Sequence, residues 1–131
     1  MNIPQRETLP LKAAPHEIHL TPELLSKFNK AFASKHSGGV PPTFAAVALK
    51  GVFEMLNAMN VNWKGLLHAT QSFEYLKPVV HNQKLRAETS LVDARLRGGM
   101  HWLQFEARLK DALSEEDFLL SKSLIMVKAE S

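Results

Sequence analysis

The sequence predicts an α+β fold in which one long helix lies within a curved antiparallel sheet. Three observations carry this. Between residues 44 and 59, Val47, Ala48, Gly51, Val52, Met55, Leu56 and Met59 recur at helical spacing along one side. Downstream of Gly65 the pattern changes to strict alternation, clearest where Leu103, Phe105, Ala107 and Leu109 interleave with Gln104, Glu106, Arg108 and Lys110. Short turns at Gly98-Gly99 and at Ser114-Glu-Glu-Asp117 join the last three strands into an antiparallel meander. A helix preceding such a meander buries its apolar stripe most simply against the sheet.

Residues 1–15 carry three prolines and little periodicity, and read as an extended arm. The rest, 16–131, reads as a single domain. His16-Glu-Ile-His-Leu20 alternates as a short strand. Thr21 then caps a helix, with Pro22 at its first position and Glu23 in its first turn. Leu24, Leu25, Phe28, Ala31 and Phe32 form its apolar stripe. Ser34-Lys-His-Ser-Gly-Gly39 ends it, and Pro41-Pro42 forces an extended entry to the long helix. Gly51 in mid-helix costs about 1 kcal/mol relative to Ala. Close approach to the sheet explains its presence. The strands then run over Leu67–Leu76, around Leu85–Leu91, over Leu103–Lys110 and from Phe118 to Val127.

The 131 residues suffice for one hydrophobic core without disulfides or a structural metal. An apolar content of 45% and a charged content of 22% exclude the disordered and membrane-embedded classes. The first ten residues lack the basic start and apolar stretch of a secretory signal. With no cysteine, thiol nucleophiles and thiolate metal sites are excluded, and a cytoplasmic setting is the simplest expectation. The net charge of +3 comes from scattered lysines, not the clustered face that nucleic acid requires. It suits the phosphates of coenzyme A or an acidic carrier protein. His16, His19, His81 and His101 show no metal-ligand spacing with carboxylates, so no metal is expected.

Two stretches carry a family resemblance. Val40-Pro-Pro-Thr-Phe44 resembles the entry to the central helix of hot-dog folds. Leu67-His-Ala-Thr-Gln-Ser-Phe-Glu-Tyr-Leu-Lys-Pro78 is similar to the Leu-His-Gly-Glu-Gln-x-Phe-x-Tyr-x-(Arg/Lys)-Pro strand of MaoC-like dehydratases, in particular their fatty-acid-synthase type I dehydratase-like N-terminal domains. The resemblance extends from His16 onward, although the usual Gly-Asp turn is His81-Asn82 here. It implies a hot-dog fold and binding of acyl thioesters of coenzyme A or of acyl-carrier phosphopantetheine, with no separate cofactor. It also implies reversible hydration of an enoyl thioester, which needs two positioned groups: one takes a proton from carbon and one gives a proton to the leaving oxygen. Active members place a Gly-Asp-x-Asn-Pro-x-His segment after the first helix. Here that segment is Ser34-Lys-His-Ser-Gly-Gly39, and the chain has no Asp before Asp93. The expected protein is therefore a weak, non-catalytic or partner-dependent relative of the (3R)-hydroxyacyl-thioester dehydratases.

His36 stands where the active loop belongs, and fits equally a solvated histidine favoured by a helix C-terminus. His36-Ser-Gly-Gly39 also resembles the His-Gly-Gly motif of hot-dog thioesterases, in which amides at the helix start polarise the thioester carbonyl. A thioesterase would need Thr43 or Glu54 to activate water, while Glu54 reads otherwise as a surface or dimer-interface residue that Lys50 at i−4 can pair with. Gly38, Gly39, Val40, Phe44 and His68 are the expected substrate-contacting positions, with His68 alternatively a buried or interface histidine bonded to backbone. Trp63 and Trp102 read as packing anchors or walls of an acyl tunnel. The partners expected are a second copy, in a homodimer or larger homo-oligomer, or a catalytic hot-dog subunit in a heterodimer. A pure assembly subunit without ligand is the remaining alternative.

Overall fold

The computed structural model describes residues 1–18, 21–33, 42–61, 63–80 and 84–130, with the backbone alone at positions 24, 28, 31, 32 and 42–48. Strands β1 (Leu11–Lys12) and β2 (His16–Ile18) precede helices α1 (Pro22–Ala33) and α2 (Pro42–Ala58). Four longer strands follow: β3 (Leu66–Tyr75), β4 (Leu85–Arg97), β5 (Met100–Asp111) and β6 (Asp117–Lys128). They form one antiparallel sheet in the order β1-β4-β5-β6-β3, with β2 also on β4. β4, β5 and β6 make the expected meander. β3 crosses to the far side and pairs with β6, so β1 and β3 stand at opposite edges.

Local chemistry sets the turns. Gly98 and Gly99 both take positive φ, at 58° and 75°, which suits the tight two-residue turn between twisted strands. At the β5–β6 turn the Asp111 carboxylate accepts the N–H groups of Leu113 and Ser114, each at 2.8 Å.

Alternation sorts β5 cleanly: Leu103, Phe105, Ala107 and Leu109 are buried on the inner face. Against them α2 presents Val52, Met55, Leu56 and Met59, all buried. The helix touches the sheet most closely at Gly51. A β-carbon there would stand 2.1 Å from Thr89 Oγ1 and 2.6 Å from Thr89 Cβ, distances that no side chain tolerates. The glycine thus lets α2 settle onto β4, as the sequence suggested. A second cluster joins Tyr75, Val79, Leu85 and Phe118 with Leu25 of α1. Asn29 fastens that helix by exchanging hydrogen bonds of 2.9 Å with both the C=O and the N–H of Val79.

The N-terminal arm is more structured than proline content implied. It contains a 3-10 turn at Arg6–Thr8 and the strand β1. Asn2 N–H donates to the Met59 carbonyl at 2.7 Å and Ala13 N–H to the Thr89 carbonyl at 2.9 Å, so the arm ties the end of α2 to the edge of β4. Arg6 pairs with Asp93 at 3.0 Å, and Arg95 binds the other oxygen of that carboxylate at 2.9 Å. The hydrogen bond from Arg95, aided by the charges of Arg6 and Arg95 and opposed by burial, holds the Asp93 carboxyl below its usual range. Among the described residues no helix is long and apolar enough to cross a membrane.

Two outcomes follow from this packing. Replacing Gly51 with Ala gains about 1 kcal/mol of helix propensity but overpacks the contact with Thr89, which costs about 1–3 kcal/mol. The predicted result is a lower urea midpoint, and an equal or higher one would contradict the close approach. Because the folded pKa of Asp93 is depressed, its contribution is present above about pH 4 and is lost as pH falls through the folded value. Amide exchange in the arm is predicted to accelerate over that acid range in the wild type, and to be fast already at neutral pH in Asp93→Asn.

Candidate functional site

Of the residues singled out in the sequence, His36, Gly38, Gly39 and Val40 lie outside the described residues, as do His19, His81 and Asn82. Thr43 and Phe44 fall in the first turn of α2, where their backbone is helical. Glu54 and His68 are described fully. They do not come together: Glu54 bonds to His16 of β2, on the β4 side of the sheet, whereas His68 is on β3 at the opposite edge.

Glu54 is half exposed on α2, and its carboxylate meets His16 Nε2 at 2.7 Å. Glu54 thus makes its hydrogen-bonding contact with the strand after the arm. Helix spacing alone pointed to Lys50; the pairing of β2 with β4 brings His16 to Glu54 instead. Beside this pair a cleft of about 370 Å³ separates α2 from the arm, walled mostly by apolar groups, among them Leu11, Ala13, Met55 and Met59. Its size is at the small end for ligand pockets.

The β3 edge holds a different arrangement. Along β3 the register shifts between His68 and Thr70, so Ala69 is a bulge. Residues three apart on a regular strand face opposite sides. With the bulge, His68 stands opposite Ile125 and Gln71 opposite Ser123, both inner-face positions of β6. The inner face of β6 should be apolar, and Phe118, Leu119, Ile125 and Val127 obey. Ser121 and Ser123 do not, although they are 1% and 4% exposed. Their hydroxyls are satisfied by Gln71: its Nε2 donates to Ser121 Oγ at 2.6 Å, and its Oε1 accepts from Ser123 Oγ at 2.6 Å. The same Oε1 lies 3.0 Å from His68 Nε2. His68 itself is exposed and bonds to the Gln71 side chain, which corrects the buried alternative of the buried-or-interface expectation.

The two tryptophans differ in burial. Trp63 is 46% exposed and lies against Phe53 with ring centroids 6.0 Å apart, so it is no buried anchor. It follows the end of α2 in a short 3-10 turn, where the chain rounds the domain edge toward β3. Trp102 is half-buried, and its Nε1 donates to the Arg97 carbonyl at 3.3 Å. Among the described residues no group of three or more histidine and carboxylate side chains could hold a metal ion. Sequence reasoning missed Gln71, Ser121 and Ser123. The signal was present, since two serines occupy core-parity positions of an otherwise apolar strand.

Removing Gln71 strands two buried hydroxyls, each worth about 1–3 kcal/mol when left without a partner. Gln71→Ala is predicted to lower unfolding free energy by roughly that amount or more, whereas Glu54→Gln, at an exposed ion pair, changes it by less than about 1 kcal/mol. Chemical denaturation of both variants checks the order, and a reversed order would contradict it.

The sequence matches the model of the FAS1-like dehydratase domain region over residues 15–116, well over half of the chain. No curated protein matches it. Among solved structures it is similar to the C-terminally truncated HadBC (3R-hydroxyacyl-ACP dehydratase) complex of Mycobacterium tuberculosis, with a TM-score of 0.63 at 17% identity over 89% of this chain and 95% of that one. It is similar to the ChsH1–ChsH2 complex of the same organism, at a TM-score of 0.56 and 10% identity over 92% and 90% of the two chains. The (R)-hydratase of A. caviae involved in PHA biosynthesis gives a TM-score of 0.51 at 16% identity over 95% and 99%. At these identities the structures share the fold. Taken with the match over residues 15–116, the chain belongs to the FAS1-like dehydratase family.

Proposed function

We propose that this protein binds acyl thioesters, of coenzyme A or of an acyl carrier, as a MaoC-like hot-dog protein that lacks the usual proton-transfer pair. In this reading residues 16–131 act as one hot-dog unit with α2 as its central helix. The observation that carries it is the combination of membership in a dehydratase family with a sequence that has no Asp before Asp93. Asp93 itself is engaged by Arg6 and Arg95 on the sheet, and its side chain is bound in that network. Among the described residues the histidine–carboxylate contact is His16–Glu54, between the arm-side strand and α2.

Hydration of an enoyl thioester moves two protons in a fixed geometry, and each positioned acid or base contributes about 10²- to 10⁴-fold. A scaffold without that pair keeps the ligand-binding part of the task and loses most of the rate. The natural remedy is a second hot-dog subunit that supplies the missing groups. The HadBC and ChsH1–ChsH2 structures are themselves complexes, which supports an assembly of this kind. The β3 edge, together with the exposed Leu67, Trp63 and Phe53, offers the unpaired backbone and apolar surface through which strands of two units join.

The test is direct. The purified chain is predicted to be stabilised by butyryl- or crotonyl-coenzyme A, by about 2.7 kcal/mol at a hundredfold excess over Kd. Alone it is predicted to hydrate crotonyl-coenzyme A at least 10²-fold below ordinary enzymatic rates. Full hydratase activity of the isolated chain would overturn the loss of the pair. No thermal stabilisation by any thioester would overturn the ligand class and leave a purely structural subunit.

A further inference from the structure

The hydrogen bonds around Gln71 fix which nitrogen of His68 carries its proton. Gln71 Nε2 donates to the Ser72 carbonyl at 3.3 Å, and a carbonyl only accepts, so the amide nitrogen is assigned to that side. The amide oxygen is therefore the atom that faces His68. An oxygen with no hydrogen only accepts, so the contact of 3.0 Å requires His68 Nε2 to be the donor. In the neutral ring the proton then sits on Nε2, and Nδ1 is left with its lone pair. Two buried serines hold Gln71 from the side, and the Ala69 bulge sets His68 on the same face as Gln71. A second group that fixes a ring tautomer is the usual way an imidazole is prepared as a hydrogen-bond acceptor or base.

Simple packing does not call for this set. Two serines at core positions bury hydroxyls where Val or Ala would suffice, and the bulge leaves Ala69 outside the ladder. Strand bulges re-aim side chains, and are over-represented beside active sites. The result is an inner-face histidine that remains exposed, with Nε2 committed to Gln71 and Nδ1 without a hydrogen bond among the described residues.

We propose that His68, set by Gln71, Ser121 and Ser123, is the hydrogen-bond acceptor of the ligand site, and that its Nδ1 receives the hydroxyl hydrogen of a hydroxyacyl thioester. This rests on the thioester reading above and narrows it. With Nε2–H committed to Gln71, a lone pair at Nδ1 favours a chain bearing O–H over the same chain bearing only C–H.

Nitrogen-15 NMR of the uniformly labelled full chain reads the tautomer without any ligand. The expected result is an Nε2-protonated ring for His68; an Nδ1-protonated ring overturns the proposal. Titration with 3-hydroxybutyryl-coenzyme A and butyryl-coenzyme A then tests the hydroxyl. The wild type is expected to bind the hydroxylated ester about three- to tenfold more tightly, the worth of one hydrogen bond. His68→Ala, which leaves Gln71 on both serines and so preserves the fold, is expected to bind the two equally. A preference that survives in His68→Ala, or two esters bound equally by the wild type, overturns the role of His68 while the thioester reading stands. Binding of neither ester overturns the thioester reading itself, and the hydroxyl contact with it.

Discussion

Everything in this molecule depends on how closely α2 lies on the sheet. Gly51 meets Thr89 where no β-carbon fits, and that contact sets the depth at which Val52, Met55, Leu56 and Met59 enter the core. Protein interiors are packed as densely as organic crystals, so a helix held off by one methyl group loses contacts along its whole stripe. The arm reinforces the same arrangement from outside. It bonds to Met59 at the end of the helix and to Thr89 on the strand beneath, linking the two partners of the contact through backbone hydrogen bonds.

With α2 on the inner face against β4 and β5 and the arm along β4, the opposite edge of the sheet is β3. There the inner face changes character. Toward Tyr75 it is sealed against Phe118 and Leu119, whereas His68 is itself exposed beside the buried Ser121, Ser123 and Ile125 of β6. Family membership supplies the natural meaning of that contrast: a dehydratase scaffold needs a place where polar groups meet a mostly apolar ligand. The sequence, for its part, has no Asp before Asp93. Among the described residues, the His68 imidazole is held by Gln71, which is bound in turn by Ser121 and Ser123.

Much of this was legible in the sequence, for physical reasons that differ by element. The α2 stripe and the alternation of β5 are strong because one face of each is buried and the other solvated. Gly51 was readable because glycine in mid-helix is unfavourable without a compensating contact. The motif from Leu67 to Pro78 pointed to the family that the match over residues 15–116 establishes. Other features depend on contacts far apart in the chain. Glu54 has its helical neighbour Lys50 in view, but its partner His16 is 38 residues away and reaches it only once β2 has paired with β4. The pairing of β3 with β6 and the bulge at Ala69 are set by strand register, and a bulge leaves no mark in local alternation until the partner strand is known. Trp63 reads from sequence as a packing anchor or a tunnel wall, and its place at the corner between α2 and β3, where nearly half of its surface faces water, depends on the path of the chain after α2.

The central claim is that an acyl thioester binds beside the exposed His68 of β3. A crystal structure of the full chain with 3-hydroxybutyryl-coenzyme A tests it most directly. The account predicts the acyl group beside β3, with its hydroxyl within 3.2 Å of His68 Nδ1. An acyl group seated instead in the cleft between the arm and α2, beside Leu11 and Met59, would contradict it.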